Sequence, residues 1–220
     1  MKKSVALFIH RFRRLATALC LIAGVGLLPG LEAKTQEHEH HEHGDHHAHH
    51  RQMLEQTGYV RSEHRYQVPD LVLVDRHGQK VSLAEALDGA GPVLLNFIFT
   101  SCTTICPVLS GTFAQAQGSL GPGREEVRMY SVSIDPEQDT PARLSEYAQR
   151  YRAGDSWHFL TGSRDDVLAV QKAFDAYRGS KMNHIPLTFM RASPDAPWTR
   201  LEGFASTADL LREYEALPSP

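Results

Sequence analysis

Pro92-Val93-Leu94-Leu95-Asn96-Phe97-Ile98-Phe99 is an almost unbroken apolar run of strand length, as expected of a β-strand buried on both faces. It passes directly into Thr100-Ser101-Cys102-Thr103-Thr104-Ile105-Cys106-Pro107, a short polar turn. Pro107 is suited to open a helix, which Gly121-Pro122-Gly123 stops after about Leu120. Outward from this junction, strand and helix patterns keep alternating. Residues 71–75 and 79–83 flank Arg76-His77-Gly78 as a hairpin, and Ser82 can cap a short helix through Leu87. Residues 127–134 alternate as a second central strand. Thr140-Pro141 joins an N-cap to a proline at the first helical position and predicts a helix to about Arg152. Residues 157–160 form a short strand, and Ser163 with Asp166 resembles a capping box opening a helix to about Tyr177. Residues 187–192 and 199–204 are strands separated by a short turn, hence antiparallel, and Ser206 with Asp209 opens a last helix to about Leu217. The fold class is therefore α/β: a central mixed β-sheet flanked by helices, with an N-terminal β-hairpin.

Composition narrows the function classes. Of 220 residues, 41% are apolar and 22% charged, which supports a packed core and excludes wholesale disorder. A formal net charge of -3 offers no basic surface for nucleic acid. Three cysteines are too few for a disulfide-stapled scaffold.

Residues 1–33 stand apart. Lys2, Lys3, Arg11, Arg13 and Arg14 form a basic leader, residues 15–28 are nearly all apolar, and Leu31-Glu32-Ala33 suits a signal peptidase. The segment reads as a signal peptide or, since the run approaches spanning length, a membrane anchor through residues 15–31. Cys20 falls inside the run, and bulky Leu19 before it argues against lipidation. Either reading places the rest outside the cytoplasm, in a periplasmic or similarly exported setting, where thiols are paired, kept reduced or bound to metal.

Residues 34–58 form a His-rich segment with nothing to fold around. His38, His40, His41, His43, His46, His47, His49 and His50 are interleaved with Glu37, Glu39, Glu42 and Asp45. Imidazole with carboxylate suits Cu(II), Zn(II) or Ni(II), so this is a low-specificity metal tail or a merely solubilising one. Residues 59–220 make the folded domain.

Cys102 and Cys106 sit at the carboxyl end of the first buried strand and the start of a helix. Ligands gather at such strand ends, and a helix N-terminus favours thiolate over thiol. A spacing of four puts both sulfurs on one face if the turn is helical, and paired thiolates select Cu(I). A structural disulfide is the alternative, though so short a loop removes little chain entropy. Four histidines lie outside the tail and leader: His64 precedes the fold, His77 sits in the hairpin turn, and His158 lies in a strand. His184 lies in Gly179-Ser180-Lys181-Met182-Asn183-His184-Ile185-Pro186, a polar loop entering a strand, and position alone leaves it one candidate ligand among several. Met182 reads as ordinary loop packing.

Residues 96–107, with Cys-x3-Cys-Pro, resemble the signature of the Sco/SenC proteins. The hairpin with Asp75 and Gly78, Ser133-Ile134-Asp135-Pro136-Glu137-Gln138-Asp139-Thr140-Pro141 and Trp157-His158-Phe159-Leu160-Thr161-Gly162 keep the same order, and the likeness spans about residues 66–215. Those proteins are thioredoxin-like copper chaperones that assist cytochrome c oxidase assembly. The resemblance implies a thioredoxin-like fold and a copper site, Cu(I) or Cu(II), made by Cys102, Cys106 and His184. It also implies Asp135 as a modulator rather than a ligand, with a turn-capping role as the alternative. Two details bear on it: Thr103 stands where the family usually has proline, and Pro186 resembles the cis-proline of thioredoxins.

The resemblance thus implies an exported copper metallochaperone. Its partner would be the copper-receiving subunit of cytochrome c oxidase or another exported cuproprotein. The alternative is an enzyme, a thiol-disulfide oxidoreductase with Cys102 and Cys106 as its redox pair, keeping an exported copper protein's cysteines reduced with a thiol reductant behind it. The spacing weighs against it, since thioredoxin-type catalysts have two residues between the cysteines. A third reading is a metal buffer run by the tail alone.

Overall fold

The structure, a computed structural model, describes residues 58–120 and 127–218. The leader 1–33 and the eight tail histidines lie outside the described residues. Eight strands make one sheet: β1 (Tyr59–His64), β2 (Val72–Asp75), β3 (Lys80–Ser82), β4 (Val93–Ile98), β5 (Arg128–Ser133), β6 (Trp157–Thr161), β7 (Leu187–Arg191) and β8 (Trp198–Gly203). Among the described residues five helices accompany them: α1 (Leu83–Asp88), α2 (Ile105–Ser119), α3 (Pro141–Arg150), α4 (Arg164–Ala173) and α5 (Thr207–Glu215). The strand order is β1-β8-β7-β4-β5-β6-β2-β3. β4, β5 and β6 run parallel and the other pairings are antiparallel, so the sheet is mixed as expected. No helix among the described residues is long and apolar enough to cross a membrane.

The apolar run of β4 has a simple cause. All six of its residues are buried, and the period of two divides them between two cores. Leu94 and Ile98 join Phe113, Tyr147, Trp157 and Phe159 on one face. Val93, Leu95 and Phe97 join Phe174, Phe189 and Trp198 on the other. Asn96 interrupts the run, yet its Oδ1 accepts the Ser131 hydroxyl at 2.7 Å, and Ser131 in turn accepts the Trp157 indole N–H at 3.0 Å. That polar link ties the three parallel strands together.

The predicted caps are present. Ser82, Thr140, Ser163 and Ser206 each accept a backbone N–H at a helix start, and Ser206 with Asp209 completes a capping box. Four expectations are corrected. Helix α2 begins at Ile105, two residues before Pro107, because a proline anywhere in the first turn costs no intrahelical bond. Strand β5 is buried along nearly its whole length rather than on alternate residues, since it lies between β4 and β6. Helix α4 stops at Ala173, and Asp175 just beyond it is left-handed at φ 48°. His64 belongs to the fold: it closes edge strand β1, opposite Trp198. β1 can pair where it does because Gly203 has φ 120° and a Cβ there would collide with the Gly58 carbonyl.

Candidate metal centre

The cysteine turn leaves the carboxyl end of β4. The Cys102 N–H donates to the Phe99 carbonyl at 3.1 Å, and the Phe99 N–H donates to the Cys106 sulfur at 3.4 Å. Helix α2 then starts with Thr104 at its N-cap, but the threonine side chain makes no cap bond. The Cys102 sulfur accepts the Cys106 N–H instead, at 3.4 Å, and so does a capping side chain's task. This accounts for its acidity. The Cys106 thiol, donating to the Cys102 sulfur, is the largest influence holding Cys102 down to about 5; partial burial opposes it, and backbone donors at Cys106 and Thr104 assist. Cys106 is pushed strongly upward by that same neighbour and by burial. Both cysteines are free. At neutral pH the pair is one thiolate, partly exposed, backed by one buried thiol.

The segment after β5 supports this turn from beneath. Asp139 is fully buried and accepts the Thr100 N–H at 3.1 Å, the Thr100 hydroxyl at 2.6 Å and the Ser133 hydroxyl at 2.6 Å. Asp135 begins the same turn: its carbonyl accepts the N–H groups of Gln138 and Asp139, and its carboxylate pairs with Lys181 at 2.5 Å. Asp135 therefore serves the turn through its carbonyl, while its carboxylate is taken up by Lys181.

His184 follows a short 3-10 turn, Lys181–Asn183, and its N–H donates to the Lys181 carbonyl at 3.2 Å. It leads into β7, which pairs antiparallel with β4, Thr188 opposite Asn96. Continued past the strand ends, that register sets His184 beside the start of the cysteine turn. The ring is 7% exposed and meets the Phe99 ring edge-on at 6.3 Å. Burial lowers its pKa, while the nearby Cys102 charge and a backbone hydrogen bond at Phe97 act the other way. Its Nε2 is buried without a hydrogen-bond partner. A buried imidazole nitrogen with nothing to bind is a costly arrangement unless something else takes its lone pair.

The structure therefore brings Cys102, Cys106 and His184 to one end of the sheet. It does not draw them into a closed cluster: among the described residues, no three His, Cys, Asp or Glu side chains are placed to hold a metal ion. The other three histidines stand elsewhere, His64 exposed and stacked on Tyr66, His77 in the hairpin turn, and His158 stacked on Tyr130. Two smaller expectations change. No cis peptide occurs among the described residues, so the Ile185–Pro186 bond is trans. Met182 is 77% exposed rather than packed, because the 3-10 turn points it away from the body. Asp139 stands within a stretch that resembles the family without a chemical motif of its own, and Lys181 carries no signal in the sequence.

A family model described as SCO1/SenC matches residues 60–212. The SCO1 protein homolog of Bacillus subtilis is 38% identical over 104 residues, covering 47% of this chain and 53% of that protein. The chain spans about half the length of the curated relatives it matches first. Among solved structures, BsSco, described as a member of the Sco family of cytochrome c oxidase assembly proteins and as carrying a disulfide switch, superposes with a TM-score of 0.59. It is 29% identical, and the match covers 71% of this chain and 96% of that one. Arabidopsis thaliana ScoI, solved with copper bound, gives 0.57 at 23% identity over 67% of this chain and 94% of that one, a likeness of fold. With its mixed thioredoxin-like sheet, its Cys-x3-Cys-Pro turn and a match running from β1 to α5, the chain belongs to the SCO1/SenC family.

Proposed function

We propose that the chain is an exported copper metallochaperone in which Cys102, Cys106 and His184 bind copper and pass it to a recipient cuproprotein. The observation that carries this reading is the unpartnered, buried Nε2 of His184 at the sheet end where an ionised Cys102 sulfur also lies. Thiolate, thiol and imidazole form a soft set that favours Cu(I). The chain covers relatives and neighbours of the oxidase-assembly family, which supports the copper-bearing subunit of cytochrome c oxidase as recipient. The basic and apolar leader supports export, by cleavage or as an anchor.

An incompletely gathered ligand set suits a carrier. Capture asks His184 to close on two sulfurs already in place. Release then runs by ligand exchange, with a recipient's ligand entering as one of these leaves and no change in the charge of the ion. The His-rich segment, if it binds metal, would raise the local supply.

The test is Cu(I) loading of the full chain, followed by thiolate-to-copper absorption, which the tail histidines do not contribute. About one Cu(I) should bind through the cysteines. Cys102→Ser and Cys106→Ser should abolish the signal, and His184→Ala should speed copper loss to a competing chelator about tenfold or more. Unchanged retention in the histidine variant would remove it from the site.

The ionised, partly exposed Cys102 backed by a buried Cys106 also favours a second reading, thiol-disulfide exchange. Cys102 would attack a substrate disulfide, and Cys106 would resolve the mixed disulfide, leaving the protein oxidised and two substrate thiols free. Copper-free protein that fails to reduce a disulfide substrate would reject it.

A further inference from the structure

Two aspartates four residues apart, in the turn after β5, reach in different directions. Asp139 holds Thr100 and through it the cysteine turn. Asp135 holds Lys181, on the other segment that bears a proposed ligand. The turn between them is stiff: Ser133 accepts the Asp135 N–H at 3.0 Å and donates its hydroxyl to Asp139 at 2.6 Å. One polar chain thus runs from Lys181 through Asp135, Ser133 and Asp139 to Thr100.

Lys181 is well placed to act on His184. Its carbonyl accepts the His184 N–H. Its ammonium lies 5.7 Å from the centroid of Phe99, the ring that His184 meets edge-on. Within residues 180–183 the other side-chain hydrogen bonds are local: Ser180 caps Met182, and Asn183 donates to the Arg178 carbonyl. The far end of the loop is held separately, by the Gly203 N–H on the Pro186 carbonyl at 3.0 Å and by the His184 hydrogen bond to the Phe97 backbone. Gly179, left-handed at φ 81°, marks the start of the loop and Pro186 its end. The ammonium therefore fastens the 3-10 turn ahead of His184 to the body. With the Asp135 side chain 9% exposed, that tie is shielded from water on one side and outweighs a surface ion pair.

We infer that Lys181 is a positioning residue, clamped by Asp135 and laid over Phe99, which fixes how the His184 segment sits above the cysteine turn and so sets how slowly bound Cu(I) leaves. Its consequence for copper rests on the function proposed above; its geometry does not. Without the clamp, the turn ahead of His184 loses its side-chain tie to the body and must be ordered each time His184 meets the metal, and that entropic cost weakens the bound state.

The experiment compares wild type, Lys181→Gln, Asp135→Asn, the double variant and Lys181→Arg, all as full chains. Amide hydrogen exchange of residues 179–186 is read without copper, and loss of Cu(I) to a chelator is read by thiolate-to-copper absorption. Each single variant should speed exchange in this loop and copper loss by about tenfold. The double variant should go no further than either single one, and Lys181→Arg should restore much of both. Unaltered exchange in the single variants, or effects that simply add, would overturn the clamp even where copper loss changes. Wild type that takes up no Cu(I) through its cysteines would overturn the copper function instead, while exchange still decides on the clamp.

Discussion

Asp139 and Thr100 are joined twice, the threonine giving both its N–H at 3.1 Å and its hydroxyl at 2.6 Å to one fully buried carboxylate. Thirty-nine residues apart in sequence, they fasten the end of β5 to the start of the cysteine turn. Asp139→Ala would strand three donors, two from half-buried Thr100 and the buried Ser133 hydroxyl. A loss of roughly 3 kcal/mol of stability is expected, with Asp139→Asn losing less because its amide oxygen still accepts. Denaturant unfolding of the two variants measures the difference.

The Cys102 thiol should ionise near pH 5, as read from the ultraviolet absorbance of thiolate. Cys106→Ala removes the largest influence and should move that midpoint upward; an unmoved midpoint would transfer the cause to the backbone donors of α2.

Acid should weaken the fold through the same site. Cys102 has a folded pKa depressed to about 5, so its contribution is complete above the ordinary thiol value and is lost as pH falls through about 5. His184 is also depressed, by burial, so its contribution is present above the ordinary imidazole value and fades on acidification below it. Stability measured from neutral pH down to about pH 4 should fall less in a Cys102→Ser, His184→Gln protein than in wild type.

Copper loading has a proton count. Cys102 is already ionised at neutral pH while Cys106, pushed upward, still carries its proton. Binding through both sulfurs should release about one proton per Cu(I), measurable in weakly buffered solution. Two protons would mean that Cys102 is not the thiolate it is taken for.

Phe97 tests the core beneath the site. It is fully buried, with Phe174 and Phe189 edge-on at 6.2 and 5.9 Å. Phe97→Ala should cost about 3–5 kcal/mol in denaturant unfolding.

The sheet was legible because β4 is apolar but for Asn96 and because four helices announce themselves with Ser or Thr caps. Those are local signals, and the structure meets them residue for residue. β1 was not legible. Its YVRSEH sequence is polar because an edge strand has little to bury, and what fixes its place is Gly203, far along the chain. The same division holds at the site. Two cysteines in a turn after a buried strand are visible in the sequence, whereas Lys181 matters only through Asp135, 46 residues away. The start of α2 is hidden from the sequence since the capping acceptor is a sulfur in the preceding turn, a device no composition rule anticipates.

The sulfur of Cys102 has two hydrogen-bond donors waiting, one from its partner cysteine and one from the opening coil of α2. Under the proposed function, the protein must survive the moment after release, when the ion has gone and the anion that held it remains. Here the anion is hydrogen-bonded to its own helix, so the metal-free protein shares that half-exposed charge between two donors instead of leaving it to water alone.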